Sequence, residues 1–565
     1  MSGSLAGNMA FLHCETIMNI LGITHPLSLN SAACIFVDGV LIAFAEEERF
    51  LRLKHAPHIH PSEAVAFCLE RAGLQPDSID VTAVGFEQPT LQHARYARAE
   101  DYVTGLISDD QLFCFNMSIA LIHGDTQLKS YGRRWYADHH LSHAASTAIP
   151  SGFPRTNFIT LDAWGGRLSG ILGIFDRDGD LQPMMEIEPS RSWGMTYELV
   201  TGYLGFRPHS GEGKTMGLAS YGRVDSNLLP DFCEPELGLP DVKKYHAHLA
   251  KHFTIRRRDE ELTDRHRDLA ATLQNYYERS LLRISKWLQR KTGCRRFALA
   301  GGVALNCSGN GRLAQQQFVE DIFVQPASHD AGTALGAAIL AHREFTGKWP
   351  DMCFQHAYWG PSYSSDQIRS ALDFGKVTYH SCDPAAAAAE ALARNEIVGW
   401  YQGRTEVGPR ALGNRSILAH PGIAENLERV NRRVKRREVW RPLAPSVLAE
   451  YYYDVFDLAQ SSPFMLLAGR VRADWRERLP AVVHVDGSAR PQSVNAEVNP
   501  LYYELICRFE QLSGLPVVLN TSFNHSDEPL VNSPEQAIAT FYRTGIDTLV
   551  IGSYVVRKER TLCLA

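Results

Sequence analysis

His139 and His143 stand four residues apart in the run His139-His140-Leu141-Ser142-His143, so on a helix their imidazoles share one face. Asp162 follows an apolar stretch, and Asp330 stands in Ser328-His329-Asp330-Ala331-Gly332, each where a strand is expected to give way to a turn. Two imidazoles with two carboxylates form a mixed nitrogen and oxygen set that suits Fe²⁺, Mn²⁺ or Zn²⁺. No cysteine stands beside these positions, so the set is read as a catalytic metal site and not as a structural cysteine-type zinc.

The elements that must position these residues can be read from apolar periodicity and turn signals. Met18 to Ile23 reads as a strand; Ala32 to Val37 and Val40 to Ala45 read as a hairpin closed by Asp38-Gly39. Pro61-Ser62-Glu63 opens an amphipathic helix that ends before Gly73. The theme recurs: Asn157 to Leu161 and Ser169 to Phe175 read as strands with a turn at Asp178-Gly179, and 268–290 reads as a helix. Two strand-rich lobes with a cleft between them would turn Asp162 and the Gly301-Gly302 turn toward a nucleotide.

A change of character at 340–365, with Gly360-Pro361, marks a linker, after which Asp383-Pro384 caps an alanine-rich helix and Ile397 to Tyr401 reads as a strand. Beyond it, GRTEVGPRALGNRS at 403–416 sets Arg404, Arg410 and Arg415 among glycines. NRRVKRREVWRP at 431–442 adds Lys435, Arg441 and further cations. Guanidinium forks and a lysine point charge suit phosphate or carbamate oxygens. For 427–437 a second reading stands beside the cradle: an amphipathic helix with Leu427, Val430 and Val434 buried and its arginines solvated. Arg490 and the polar strand end Asn520, Thr521, Ser522 and Asn524 complete a candidate ligand-binding set.

At 565 residues the chain is too long for one core, and an extension 1–17, a first domain 18–350 and a second domain 351–565 are expected. Hydrophobic content of 45%, charged content of 21% and a net charge of −6 describe a globular protein with no general attraction to nucleic acid or anionic membrane. Eleven cysteines without a CxxC pair, no apolar run long enough to span a bilayer and no basic leader point to a cytoplasmic location.

Together these motifs resemble the carbamoyltransferase family of the nodulation-factor, cephem and aminoglycoside O-carbamoyltransferase type. The resemblance rests on AEEERFLRLKH at 45–55, HHLSHAAS, GKTMGLASYG at 213–222, AGGVALN at 300–306, DAGTALGAA, GRTEVGPRALGNRS and LNTSFN, in the family's order. It implies an α/β protein: a duplicated actin/Hsp70-like (Kae1-like) domain followed by an α/β YrdC-like domain. It also implies that carbamoyl phosphate is cleaved in the C-terminal domain with Mg-ATP. Carbamoyl-AMP then passes to an iron site made by His139, His143, Asp162 and Asp330, and a hydroxyl of a small molecule takes the carbamoyl group.

In the resemblance Arg410 and Lys435 serve carbamoyl phosphate cleavage, Lys54 and Lys214 meet phosphate or carbonyl oxygens, and Asn306 lies near the nucleotide. Two departures bear on the acceptor. The family's HDAS-like turn reads Ser28-Leu29-Asn30-Ser31 here, with His25 as the stand-in base, and its DGxGE motif reads Asp162-Ala163-Trp164-Gly165-Gly166-Arg167. The related alternatives are a threonylcarbamoyl-transfer partner in tRNA modification, with 431–442 as the nucleic-acid contact, and carbamoyl transfer to a thiol in hydrogenase maturation. The first is disfavoured by net charge and the second by the missing acylphosphatase and zinc motifs.

Overall fold

In the computed structural model, which describes residues 18–87, 126 and 128–558, Asp38 and Gly39 take left-handed backbone with φ of 49° and 76°. That is what a two-residue hairpin needs, and it joins Ala32–Val37 (β2) to Val40–Glu46 (β3). Asn19–Ile23 (β1) pairs antiparallel with β2 and parallel with Val81–Val84 (β4), which in turn pairs parallel with Arg133–Tyr136 (β5). The helix Ser62–Ala72 (α1) ends at left-handed Gly73, as expected. The extension 1–17 lies outside the described residues.

Arg155–Gly165 (β6), Leu168–Asp176 (β7), Leu181–Ile187 (β8), Arg296–Ala300 (β9) and Asp321–Val324 (β10) repeat this plan. The strand orders β3-β2-β1-β4-β5 and β8-β7-β6-β9-β10 are the same, with the same parallel and antiparallel pairings. The expected duplication is therefore present in the topology.

Two helices fill the space between the sheets: His139–Ala148 (α2) against β6, β7 and β9, and Ala331–Thr346 (α7 in chain order) against β1, β2 and β4. Between them in sequence lie Trp193–Tyr203 (α3), Glu212–Ala219 (α4), Asp264–Thr292 (α5) and Cys307–Ala314 (α6). The small residues of GTALGAA are what let α7 in. A Cβ on Gly336 would lie 1.7 Å from Ser142 O of α2, and one on Gly22 of β1 would lie 2.2 Å from Ala334 O.

The change of character expected at 340–365 begins where α7, which runs to Thr346, stops at left-handed Gly347. The irregular segment after it is packed on the first lobes: Phe354 N–H donates to Pro150 O at 2.8 Å, and Phe354 and Ala357 join their core. Ser365–Phe374 (α8) and Pro384–Ala393 (α9, capped by Asp383) then lead into a second core. Its centre is an eight-stranded mixed sheet. The sheet includes Val398–Tyr401 (β11), Arg415–Ala419 (β12), Ala444–Leu448 (β13) and Val517–Ser522 (β14), the last paired antiparallel with both β12 and β13. No helix among the described residues is long and apolar enough to cross a membrane.

Candidate metal centre and cation cleft

β6 bulges after Leu161, and its ladder to β7 resumes only at Gly165. Asp162 stands in that bulge, where the strand turns its carboxylate toward the first turn of α2. Asp138 caps α2 by accepting the Leu141 N–H at 2.8 Å, so the helix starts at His139 and presents His139 and His143 together. Asp330 is the residue before α7; its Oδ2 accepts the Leu29 N–H at 2.7 Å, which leaves Oδ1 for the cluster.

His143 Nε2 lies 3.3 Å from Asp162 Oδ2 and 3.9 Å from Asp330 Oδ1, and His139 Nε2 lies 3.9 Å from Asp330 Oδ1. One donor atom from each of the four residues falls within 4.8 Å of all the others. The ring nitrogens of both histidines are buried and make no well-formed hydrogen bond. Such groups are costly to bury unless something binds them. Burial and the neighbouring His143 push the His139 pKa well down, so the ring is a neutral donor. Burial also works to raise the Asp162 carboxyl, but the two histidines and the Gly302 N–H outweigh it and hold it below its usual range. Burial and the nearby Asp162 charge push Asp330 up to about 7. Two imidazole nitrogens and two close carboxylates fit a divalent cation of the Fe²⁺, Mn²⁺ or Zn²⁺ kind.

Gly301 and Gly302 build the wall behind Asp162. Gly302 N–H donates to Asp162 Oδ2 at 3.0 Å, while Gly301 has φ of 85°, and a Cβ there would sit 2.2 Å from Leu161 O. Asn306 is a helix cap instead of a free ligand group: it accepts the Gly309 N–H and exchanges two hydrogen bonds with Gln274. His25 is buried in its turn against Phe86, and its Nδ1 accepts the Leu27 N–H at 3.0 Å. In the neutral ring that places the proton on Nε2, which argues against a base at that atom.

The cations divide into two groups that the sequence does not separate. Arg404 donates to the carbonyls of Trp359 and Gly360, and Arg415 is fully buried over the Tyr401 ring at 3.8 Å, donating to Gln402 O and Gly403 O. Both are turned to main chain and away from the cradle expected of them. Glu406 shapes the same loop: one oxygen accepts the N–H groups of Leu412, Asn414 and Arg415.

The second group faces the first lobes. Arg410 and Arg490 are neighbours whose Nε atoms are buried without a partner, and burial beside Arg490 pushes the Arg410 pKa down to about 9. Arg437 and Arg441 lie with them, lowered first by burial. From the N-terminal half, Lys54 is lowered by burial and by the charges of Arg441, Lys214 and Arg207, with Asp527 working the other way. Lys214 Nζ reaches Glu438 at 2.9 Å. So many cations with so few acids suit an anion of several charges.

Segment 427–437 is not one continuous α-helix. An α-turn at Glu425–Arg429 passes into a π-type turn at Val430–Val434, with Val430 and Val434 buried, Leu427 half-buried and Arg432, Arg433 and Arg436 exposed. The π turn delivers Lys435 inward, where Nζ donates to Ser522 O at 2.6 Å, Ser522 Oγ at 2.9 Å and the Asn524 side chain. Lys435 thus ties this turn to the polar strand end. Asn524 Nδ2 in turn donates to Glu528 O, Thr521 is half-buried opposite Ile417, and Asn520 is buried, donating to Ser446 Oγ and Ala411 O.

Glu46 joins the two clusters; it stands in the AEEERFLRLKH motif, but the sequence assigns it no role. Its Oε1 accepts the Gly408 N–H at 2.6 Å, and its Oε2 lies 3.6 Å from Nε2 of His329, the neighbour of Asp330. Arg49, also buried, donates to Glu46 and to Gly408 O.

The family profile described as Carbamoyltransferase N-terminus matches residues 19–339, and that described as Carbamoyltransferase C-terminus matches 389–558. The nodulation protein NolNO of Sinorhizobium fredii is 37% identical over 575 residues, spanning 98% of this chain and 82% of its own. A 3'-hydroxymethylcephem-O-carbamoyltransferase of Amycolatopsis lactamdurans is 38% identical over 263 residues, 45% of this chain and 47% of its own. Among solved structures, HypF of T. kodakarensis aligns with 58% of this chain and 48% of its own at 12% identity and a TM-score of 0.34. The chain belongs to the carbamoyltransferase family, and the protein is a group-transfer enzyme of that kind.

Proposed function

We propose that the protein is an O-carbamoyltransferase that uses ATP and carbamoyl phosphate to make carbamoyl-AMP in the cation cleft. The carbamoyl group then passes to a hydroxyl of a small molecule beside the metal centre. The observation that carries this reading is that Arg410 and Arg490 have buried Nε atoms and no hydrogen bond to a described residue, while Arg441, beside both of them, also lies near Lys54 of the other half of the chain. Buried cations lacking counter-charges are stabilised when an anion arrives.

In this reading Arg410, Arg437, Arg441 and Arg490 bind phosphate oxygens and orient carbamate toward the α-phosphorus of ATP. Water first cleaves the bond between the carbamoyl and phosphate groups of carbamoyl phosphate, giving carbamate and inorganic phosphate; a carbamate oxygen then attacks the α-phosphorus of ATP and pyrophosphate leaves. Lys54 and Lys214 sit on the lobe side, where they can hold the AMP phosphate as the mixed anhydride moves toward Asp162. Glu46 keeps the Arg410 loop and the start of α7 in register through this passage. A divalent cation bound by His139, His143, Asp162 and Asp330 would supply Lewis-acid polarisation of carbamoyl and phosphate oxygens. The acceptor hydroxyl attacks the carbamoyl carbon and AMP departs.

The test is to incubate the protein with ATP and carbamoyl phosphate and to follow pyrophosphate and carbamoyl-AMP. A pool of hydroxylated metabolites is then added and searched by mass spectrometry for the gain of one carbamoyl group. Pyrophosphate release that does not depend on carbamoyl phosphate would refute the adenylation step, and a pool without carbamoylated products would refute the transfer to a hydroxyl.

A further inference from the structure

Transfer to a hydroxyl needs a group that takes its proton. His25 is engaged as an acceptor through Nδ1, and the histidines of α2 belong to the metal centre. A different histidine lies beside that centre. α3 begins on Asp162 itself: Ser192 Oγ donates to the carbonyls of Asp162 and Ala163, and a Cβ on Gly194 would lie 2.4 Å from the Asp162 carbonyl carbon. Glu198 stands four residues after Gly194, so it shares that face of the helix. Its Oε1 lies 2.8 Å from His209 Nδ1.

His209 has a left-handed backbone, with φ of 64°, and its N–H donates to Glu212 Oε1 at 2.8 Å. A non-glycine residue held there is uncommon, and the Glu212 and Glu198 contacts keep both the main chain and the ring in place. The ring is 46% exposed, and Nε2 makes no hydrogen bond with any described residue. With Nδ1–H directed at a carboxylate, the lone pair is on Nε2. This is the arrangement of an oriented base.

We propose that His209, held by Glu198, is the catalytic base that takes the proton of the acceptor hydroxyl during carbamoyl transfer. The proposal rests on the transfer reading above. The O–H bond breaks and its proton goes to Nε2; the oxygen forms a bond to the carbamoyl carbon. The bond from that carbon to the phosphate oxygen breaks, its electron pair leaving with AMP. Glu198 stabilises the imidazolium until the proton is lost to solvent.

The groups facing His209 are Glu198 and Glu212 with, farther off, Asp162 and Asp330. The hydrogen bond to Glu198 holds the His209 pKa above the ordinary histidine value, against partial burial. A base works in its neutral form, so the transfer rate should rise with pH through a value above that of free histidine.

The test follows AMP release from supplied carbamoyl-AMP by the metal-loaded protein, with glycerol in water as the acceptor probe. His209→Asn and His209→Gly both suit a left-handed backbone. Each should slow release by roughly 10²–10⁴-fold, the contribution of a positioned base. Added imidazole should restore rate to His209→Gly, which opens a hole of the right shape, and not to His209→Asn. Glu198→Gln should move the inflection of the pH profile downward, which a merely structural glutamate would not do. Variants of His209 as fast as the wild type, or a Glu198→Gln profile that does not move, would overturn the proposal. A wild-type protein no faster than buffer would sink the transfer reading itself.

Discussion

Glu46 at the end of β3 accepts the main-chain N–H of Gly408 at 2.6 Å, across 362 residues of chain. The contact is buried, charge-assisted and shared with Arg49, and it ties the loop of Arg410 to His329, just before the helix that Asp330 precedes. Glu46→Gln keeps an acceptor oxygen but leaves the buried Arg49 with less compensation. It should cost about 1–3 kcal/mol of stability, the range for an impaired buried hydrogen bond. Guanidinium unfolding measures this, and a wild-type midpoint would show that the halves are joined elsewhere.

Asp162 depends on the glycines behind it. Gly301→Ala puts a Cβ into Leu161 O at a residue that already has a left-handed backbone. It should destabilise by roughly 1–3 kcal/mol and shift the Gly302 N–H off the Asp162 carboxylate. His143→Ala removes a ligand without emptying a large core volume. Both variants should retain less metal than the wild type after dialysis, read by elemental analysis, while His143→Ala keeps its far-ultraviolet circular dichroism. Equal metal content would end the assignment of this cluster.

Arg410 lies among other cations, beside Arg490 and Arg441, and Arg415 lies against carbonyls. Arg410→Ala should therefore lower carbamoyl phosphate-dependent pyrophosphate release by roughly 10²–10³-fold, as loss of one positioned charge donor does. Release of AMP from supplied carbamoyl-AMP should fall much less. Arg415→Lys, by contrast, should act through stability, because its guanidinium is turned to carbonyls and to the Tyr401 ring. If the two half-reactions fall together in Arg410→Ala, the division between clefts is wrong.

His55 is held neutral by burial and by Lys54, with its pKa pushed down to about 3. The unfolded chain takes up that proton near the ordinary histidine value, so this site lowers stability as pH falls from about 6.5 toward 3. By pH 5 the loss should be about 2 kcal/mol. Asparagine suits the left-handed backbone at this position, where φ is 68°. The fall in unfolding free energy between pH 7 and pH 5 should be smaller in His55→Asn than in the wild type; equal falls would place the acid sensitivity elsewhere.

Local chemistry was legible in the sequence wherever one element decides it. Asp38-Gly39 had to be a tight turn, Gly73 had to end a helix, Asp383 had to cap one, and His139 and His143 had to share a face. The recurring pattern of strands and turns extended this to the duplicated lobes, because the same order of strands appears twice along the chain. The arginines are another matter. Arg404, Arg410 and Arg415 look alike among their glycines, yet Arg404 and Arg415 donate to carbonyls while the Arg410 guanidinium makes no hydrogen bond with a described residue. The pattern of 427–437 likewise suits an α-helix, and only the anchoring of Lys435 at Ser522 and Asn524 accompanies its π turn. Spacing along a chain sets which residues share a face. Which charge meets solvent, a carbonyl or a cleft is set by segments hundreds of residues away, and Glu46 with Gly408, or Glu198 with His209 beside Asp162, exist only once those segments have packed.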